Sequence, residues 1–106
     1  MLDKKAVREI ASQYTDLLCK TYAPKSIILF GSYINGNPHK YSDIDIAVVF
    51  DGIEGSRYEI WANLFLLRES ISFDIEPHLM DENNDRSGFL DHIRKTGEVI
   101  YGAKNS

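Results

Sequence analysis

Ile27-Ile28-Leu29-Phe30-Gly31-Ser32, followed after ten residues by Asp43-Ile44-Asp45-Ile46-Ala47-Val48-Val49-Phe50, decides how this chain folds. The first piece is a short continuous apolar run stopped by glycine, which suits a strand buried on both faces. In the second, Asp43, Asp45, Ala47 and Val49 share one face of a strand, and Ile44, Ile46, Val48 and Phe50 share the other. One end of the first face is therefore acidic. Between the two pieces, Gly31 to Tyr41 holds two glycines, two asparagines and a proline. That many breakers leaves room for a loop and one helical turn starting at Ser32.

Working outward, Val7, Ile10, Ala11, Tyr14, Leu17, Leu18 and Tyr22 recur three or four apart, which predicts a helix with Asp3 as N-cap, ended by Pro24. On the other side, Asp51-Gly52 and Gly55 mark a loop. Ser56 and Glu59 then have capping-box spacing ahead of Ile60, Leu64, Leu67 and Ile71 at helical intervals. Trp61 and Phe65 widen that helix's apolar face and read as core aromatics. A third strand is expected from Ile71 to His78, closed by Pro77, with an exposed acidic loop from Asp81 to Asp85. A last helix over Ser87 to Thr96 buries Phe89, Leu90 and Ile93 and stops at Gly97, placed as C′. Val99-Ile100-Tyr101 is expected to be a final edge strand.

The 106 residues are enough for one core, so a single domain over residues 1–106 is expected. With 43% apolar and 26% charged residues the composition is that of a folding chain, far from the signature of disorder. Met1-Leu2-Asp3-Lys4-Lys5 runs straight into the first helical pattern, with no apolar leader and no membrane-spanning stretch, so a cytoplasmic location without membrane attachment is expected. Cys19 is the only cysteine, which excludes an intramolecular disulfide or a cysteine-built zinc site. A net charge of −4 argues against broad binding to nucleic-acid backbone, which draws on clustered Lys and Arg.

The chemistry lies in the spacing. Gly31 lets a ligand approach backbone with no Cβ in the way, Ser32 offers a hydroxyl, and a helical turn starting there would aim N–H groups at a phosphate. Asp43 and Asp45, two apart on one strand, point the same way with Cα atoms roughly 6.5 Å apart. At an effective dielectric of 20, like charges about 6 Å apart repel by about 3 kcal/mol, and a bound divalent cation turns that repulsion into attraction. Oxygen ligands with room left for phosphate and water suit Mg²⁺ or Mn²⁺. Displacement at phosphorus with two metal ions needs a further carboxylate, and Phe73-Asp74-Ile75-Glu76 offers Asp74, with Glu76 two residues along the same face able to replace or assist it. An EF-hand fails at Ala47 and Val48, and a P-loop fails for want of Gly-Lys-Ser/Thr after the strand. His39 and Lys40 read as solvated loop residues, His78 as a strand-end residue and His92 as an exposed helix residue.

Gly31-Ser32, ten residues, then Asp43-Ile44-Asp45-Ile46 resembles the defining motif of the polymerase β-like nucleotidyltransferase superfamily. The first helix, Gly36, Ser42 before the first Asp, the Phe-Asp-Ile segment and the closing Ile93…Gly97-Glu98-Val99-Ile100-Tyr101 are similar to its minimal nucleotidyltransferase (MNT) subgroup. The resemblance implies an α/β (α+β) fold with a small mixed β-sheet flanked by helices, two Mg²⁺ ions, and transfer of a nucleoside monophosphate from ATP or another nucleoside triphosphate with release of pyrophosphate. By position it makes Asp43, Asp45 and Asp74 catalytic metal ligands and gives Gly31 and Ser32 the outer phosphates. Many relatives carry Arg after Gly-Ser. Tyr33 stands here, so weaker triphosphate affinity is expected.

Larger relatives add a domain for the acceptor, and the resemblance to MNT antitoxins of HEPN/MNT toxin–antitoxin modules implies that a HEPN-domain protein supplies the accepting hydroxyl, with AMP transferred to it. Two other functions fit the same residues: a binding antitoxin that blocks its toxin without catalysis, and a regulatory domain that senses nucleotide without turnover.

Overall fold

Asp3 opens the first helix, α1 (Lys4–Leu18), with its carboxylate accepting the Ala6 N–H at 2.8 Å. In the computed structural model, which describes residues 2–36 and 43–102, seven further elements follow. They are β1 (Ser26–Phe30), a single helical turn α2 (Ser32–Asn35), β2 (Ile44–Phe50), α3 (Arg57–Arg68), β3 (Ile75–Asp81), α4 (Phe89–Thr96) and β4 (Glu98–Gly102). The expectations placed on His39, Lys40 and Ser42 lie outside the described residues.

The sheet order is β3-β2-β1-β4. β1 runs antiparallel to both β2 and β4, while β2 and β3 are parallel, joined by the α3 crossover that a parallel pair requires. The sheet is therefore mixed. β1, second from one edge, is buried along its whole length, as its unbroken apolar run predicts. α1 and α3 cover one face, where Val7, Ala11, Tyr14, Leu18 and Leu64 pack on Ile27, Leu29, Ile44, Ile46, Val48 and Ile75. The Tyr14 hydroxyl, pushed well above its ordinary pKa by burial, donates to the Leu64 carbonyl at 2.7 Å and ties the two helices together.

α4 covers the other face, with Leu90 and Ile93 on Ile28, Phe30, Ala47 and Val49. The two faces of β2 thus divide as its alternation predicts. Ala47 and Val49, which Leu90 and Ile93 cover, lie further along β2 than the acidic end of that face.

Several expectations change. Phe89, expected to be buried by the last helix, is 46% exposed at its first turn. The third strand is Ile75–Asp81 rather than Ile71–His78, and Pro77 sits inside it. β3 is an edge strand: Ile44 N–H donates to the Asp74 carbonyl and Glu82 N–H to the Phe50 carbonyl, so even-numbered β3 positions face β2 and Pro77 turns its donorless nitrogen to the open edge. Trp61 is 44% exposed instead of buried in the core, because the inward face of α3 is carried by Leu64. Gly97 ends α4 in extended backbone, not as a left-handed C′ residue. A Cβ there would come within 2.8 Å of the Ile28 side chain and of the Leu29 and Ile93 carbonyls. Close packing, not handedness, requires glycine at that position.

The far end of the sheet is fastened by Glu82, which accepts from Lys25 Nζ at 2.6 Å and from Arg94 Nη2 at 2.8 Å. Lys25, then Arg94, hold its carboxyl below the usual carboxylate range. A folded-state pKa below the unfolded one gives stability that is present above the ordinary carboxylate range and lost as pH falls through the folded value. Glu82→Gln is expected to cost about 1 kcal/mol at neutral pH. Urea denaturation of the two proteins should show that difference shrinking toward about pH 3.

Candidate active site

The site is assembled from the ends of three neighbouring strands. The β1–β2 register sets Phe30 directly opposite Asp45, so Gly31 begins its turn against the Asp45 side chain. Gly31 has φ 86° and ψ −158°, a region essentially reserved for glycine, and a Cβ on it would overlap Asp45 Oδ2. The glycine thus does two things: it turns the chain from β1 into α2, and it leaves the space the Asp45 carboxylate occupies. Ser32, the first residue of α2, is half-buried next to it.

Across the sheet, the β2–β3 register pairs Asp45 with Glu76. Asp43 lies exposed just before β2, close enough to act on the Glu76 carboxyl. The Glu76 pKa is raised: burial contributes most, the approach of the Asp43 carboxyl next, and the negative charges of Asp45 and Asp43 add to it against the opposing effect of His78. His78, two residues along β3 on the same side as Glu76, places Nε2 3.0 Å from Asp45 Oδ1. Its ring is held edge-on to Phe30 at a centroid distance of 4.9 Å, and Phe30 in turn meets Phe89 of α4 at 5.9 Å. Ligand atoms of Asp45, Glu76 and His78 all lie within 4.8 Å of one another.

Asp74 does not join this group. It lies exposed in the turn before β3, where its N–H meets Ser72 Oγ and its carbonyl accepts from Ile44. Shifting the strand forward, so that Pro77 falls inside it, carries Glu76 into the position beside Asp45. Tyr33 is likewise not at the site: its side chain is buried in the core under α1 and offers no substitute for an arginine at the phosphates. His78 is the residue that the sequence alone did not single out. Its signal was the Glu76-Pro77-His78 spacing, which puts two ligand-bearing side chains on one face of a strand.

Beyond these side chains a groove of about 490 Å³ runs along the open edge of β3. Arg57, Trp61 and Phe65 of α3 line one side and Phe89 and Leu90 of α4 the other, with Glu76 and His78 in its lining. Among the described residues, no helix is long and apolar enough to cross a membrane.

Carboxylates gathered from two adjacent strands, beside a glycine that turns a third strand into a helical turn, make a site suited to divalent-metal chemistry at a phosphate. The chain belongs to the family described as Polymerase beta, Nucleotidyltransferase, whose model matches residues 9–106, and has the mixed α/β fold that family shares. It is 47% identical over 45 residues to MJ1379 of Methanocaldococcus jannaschii, provisionally named a protein adenylyltransferase. The match takes in 42% of this chain and 45% of that one, just under half of the relative's length. A toxin–antitoxin crystal structure with AMP-PNP superposes with a TM-score of 0.59 at 28% identity, over 87% of this chain and 73% of that one. The complex of a tri-AMPylated Shewanella oneidensis HEPN toxin with its MNT antitoxin gives 0.58 at 25% identity, over 92% and 74%.

Proposed function

We propose that this chain transfers AMP from ATP to a hydroxyl group of a HEPN-domain partner protein, acting in the cytoplasm as the antitoxin of a toxin–antitoxin pair. The observation that carries the reading is the meeting of Asp45 and Glu76 beside Gly31, with Asp43 just before β2 and close enough to act on the Glu76 carboxyl. The tri-AMPylated toxin found with a structural neighbour supports the choice of acceptor and of AMP. The neighbour crystallised with AMP-PNP supports an adenosine triphosphate as donor.

Asp43, Asp45 and Glu76 would hold Mg²⁺, two ions in the full reaction, with Asp74 left outside the ligand set. Bound there, the metal supplies charge neutralisation for the triphosphate and lowers the pKa of an oxygen bound to it. Gly31 and Ser32 present backbone and hydroxyl to the outer phosphates. The Glu76 carboxylate, beside Asp45 and open to the groove, accepts a hydrogen bond from the incoming hydroxyl and orients it toward the α-phosphorus. As the acceptor oxygen bonds to the α-phosphorus, its proton passes to the Glu76 carboxylate, the bond from the α-phosphorus to the oxygen bridging to the β-phosphate breaks, and pyrophosphate leaves. The groove along β3 gives an acceptor chain a route to these carboxylates, and its Trp61, Phe65 and Phe89 offer it an apolar wall.

Pyrophosphate release, followed with ATP, Mg²⁺ and the HEPN-domain partner, tests this. Release is expected with the wild-type chain and not with Asp43→Asn/Asp45→Asn. Equal background rates from both would refute transfer. A second reading, neutralisation by binding alone, draws on the burial of Tyr33, which leaves the phosphates without the positive charge that follows Gly-Ser in many relatives. Toxin neutralisation that survives the double substitution would favour it.

A further inference from the structure

His78 has no part in the reaction as described so far, yet it is built into the site rather than set beside it. Its imidazole Nε2 lies 3.0 Å from Asp45 Oδ1, and the same three side chains that could share an ion include it. Ligand atoms on adjacent corners of an octahedron, about 2.1 Å from a central ion, are about 3 Å apart, and opposite corners are about 4.2 Å apart. Asp45 Oδ1 and His78 Nε2, 3.0 Å apart, match adjacent corners, and a Glu76 oxygen lies within 4.8 Å of both, a span that a small side-chain adjustment around an ion closes. β3 directs Glu76 and His78 to the same side, the β2–β3 pairing brings Glu76 to Asp45, and Phe30 packs against the imidazole ring. Neither the Asp45 nor the His78 side chain is fully covered, at 22% and 29% exposure, so an ion has access.

We propose that His78 is a metal ligand, and that Asp45, Glu76 and His78 form a mixed oxygen–nitrogen site that takes a first-row transition ion such as Mn²⁺ in preference to Mg²⁺. Mg²⁺ favours oxygen ligands and retains its waters, whereas an imidazole nitrogen shifts a site toward transition ions. This deepens the functional reading above and rests on it for the presence of an ion at the carboxylates. A histidine that only oriented Asp45 by hydrogen bonding would put no nitrogen on the ion and would leave the choice of metal to the carboxylates.

The test uses the whole chain and Mn²⁺ alone, without nucleotide. Titration followed by electron paramagnetic resonance gives the Mn²⁺ affinity, competition gives that of Mg²⁺, and spin-echo modulation reports a nitrogen bonded to manganese. In wild type, a ¹⁴N coupling is expected together with Mn²⁺ binding about tenfold or more tighter than Mg²⁺. His78→Gln keeps a hydrogen-bond donor near Asp45 but lacks the imidazole. It is expected to lose the ¹⁴N coupling and about tenfold or more of the Mn²⁺ affinity while holding Mg²⁺ as before. Wild type that binds Mn²⁺ without a ¹⁴N coupling, or His78→Gln with wild-type Mn²⁺ affinity, would overturn the ligand role and leave the carboxylate site standing. Wild type that binds neither ion would overturn both.

Discussion

Glu76→Gln is expected to lower nucleotidyl transfer by at least about 100-fold, while Asp74→Asn stays within a few-fold of wild type. The difference follows from where the strand begins. Glu76 pairs with Asp45 in the β2–β3 register and feels the Asp43 carboxyl. Asp74 sits exposed in the preceding turn, where its backbone, rather than its carboxylate, makes the contact to β2. Losing a carboxylate from the ligand set should cost more than the roughly 10–100-fold that follows loss of a group supporting such ligands. The amide is nearly isosteric, so both variants should fold. Steady-state kinetics of the two, with circular dichroism as a check on folding, decides the matter. Equal losses would mean that Asp74 reaches the site in the working enzyme.

Gly31→Ala is expected to abolish transfer and also to lower stability. The added Cβ would occupy the space of Asp45 Oδ2, and the backbone there has φ 86° with ψ −158°. Such backbone costs a non-glycine residue about 1–3 kcal/mol before any overlap is counted. In a chain of this size each kcal/mol lowers the melting temperature by about 4–8 °C. Gly55→Ala provides the comparison: its φ is 81°, yet a Cβ there meets nothing within 4 Å. It should show some of the stability loss and none of the activity loss. Matching activities for the two alanine variants would show that Gly31 serves the chain's turn alone and does not make room for Asp45.

The placement of Gly31, Asp43 and Asp45 was legible because the signals were local. Gly31 stopped an apolar run, and Asp43 and Asp45 stood two apart on a strand whose alternate face was apolar, which fixed their common direction. Sheet faces followed from the same alternation: Ile44, Ile46 and Val48 lie under α1 and α3, Ala47 and Val49 under α4. The misreadings arose where tertiary context decides. Pro77 looked like a strand end because proline cannot donate to a ladder, but its nitrogen faces the open edge of the sheet, where no donor is needed. That reading displaced β3, so Asp74 and Glu76 stood as alternatives for the place beside Asp45 that Glu76 takes in the register, and His78 looked like a strand-end residue.

Other departures have the same origin. Trp61 carries a core residue's chemistry, but the inward stripe of α3 is set by Leu64, leaving the indole on the groove side. Tyr33 directly follows Gly31-Ser32, yet the single turn of α2 points it into the core beneath α1. The family match over residues 9–106 places the chain in the nucleotidyltransferase family and, by itself, names no acceptor.

The acceptor is reached most directly by weighing intact proteins. Wild-type chain and Asp43→Asn/Asp45→Asn are each incubated with ATP, Mg²⁺ and the HEPN-domain partner, and the masses are read by mass spectrometry. A gain of one or more AMP units on the partner, with wild type only, is the expected result. An unchanged partner mass in a stable complex of the two proteins would contradict AMP transfer and leave binding as the means of neutralisation.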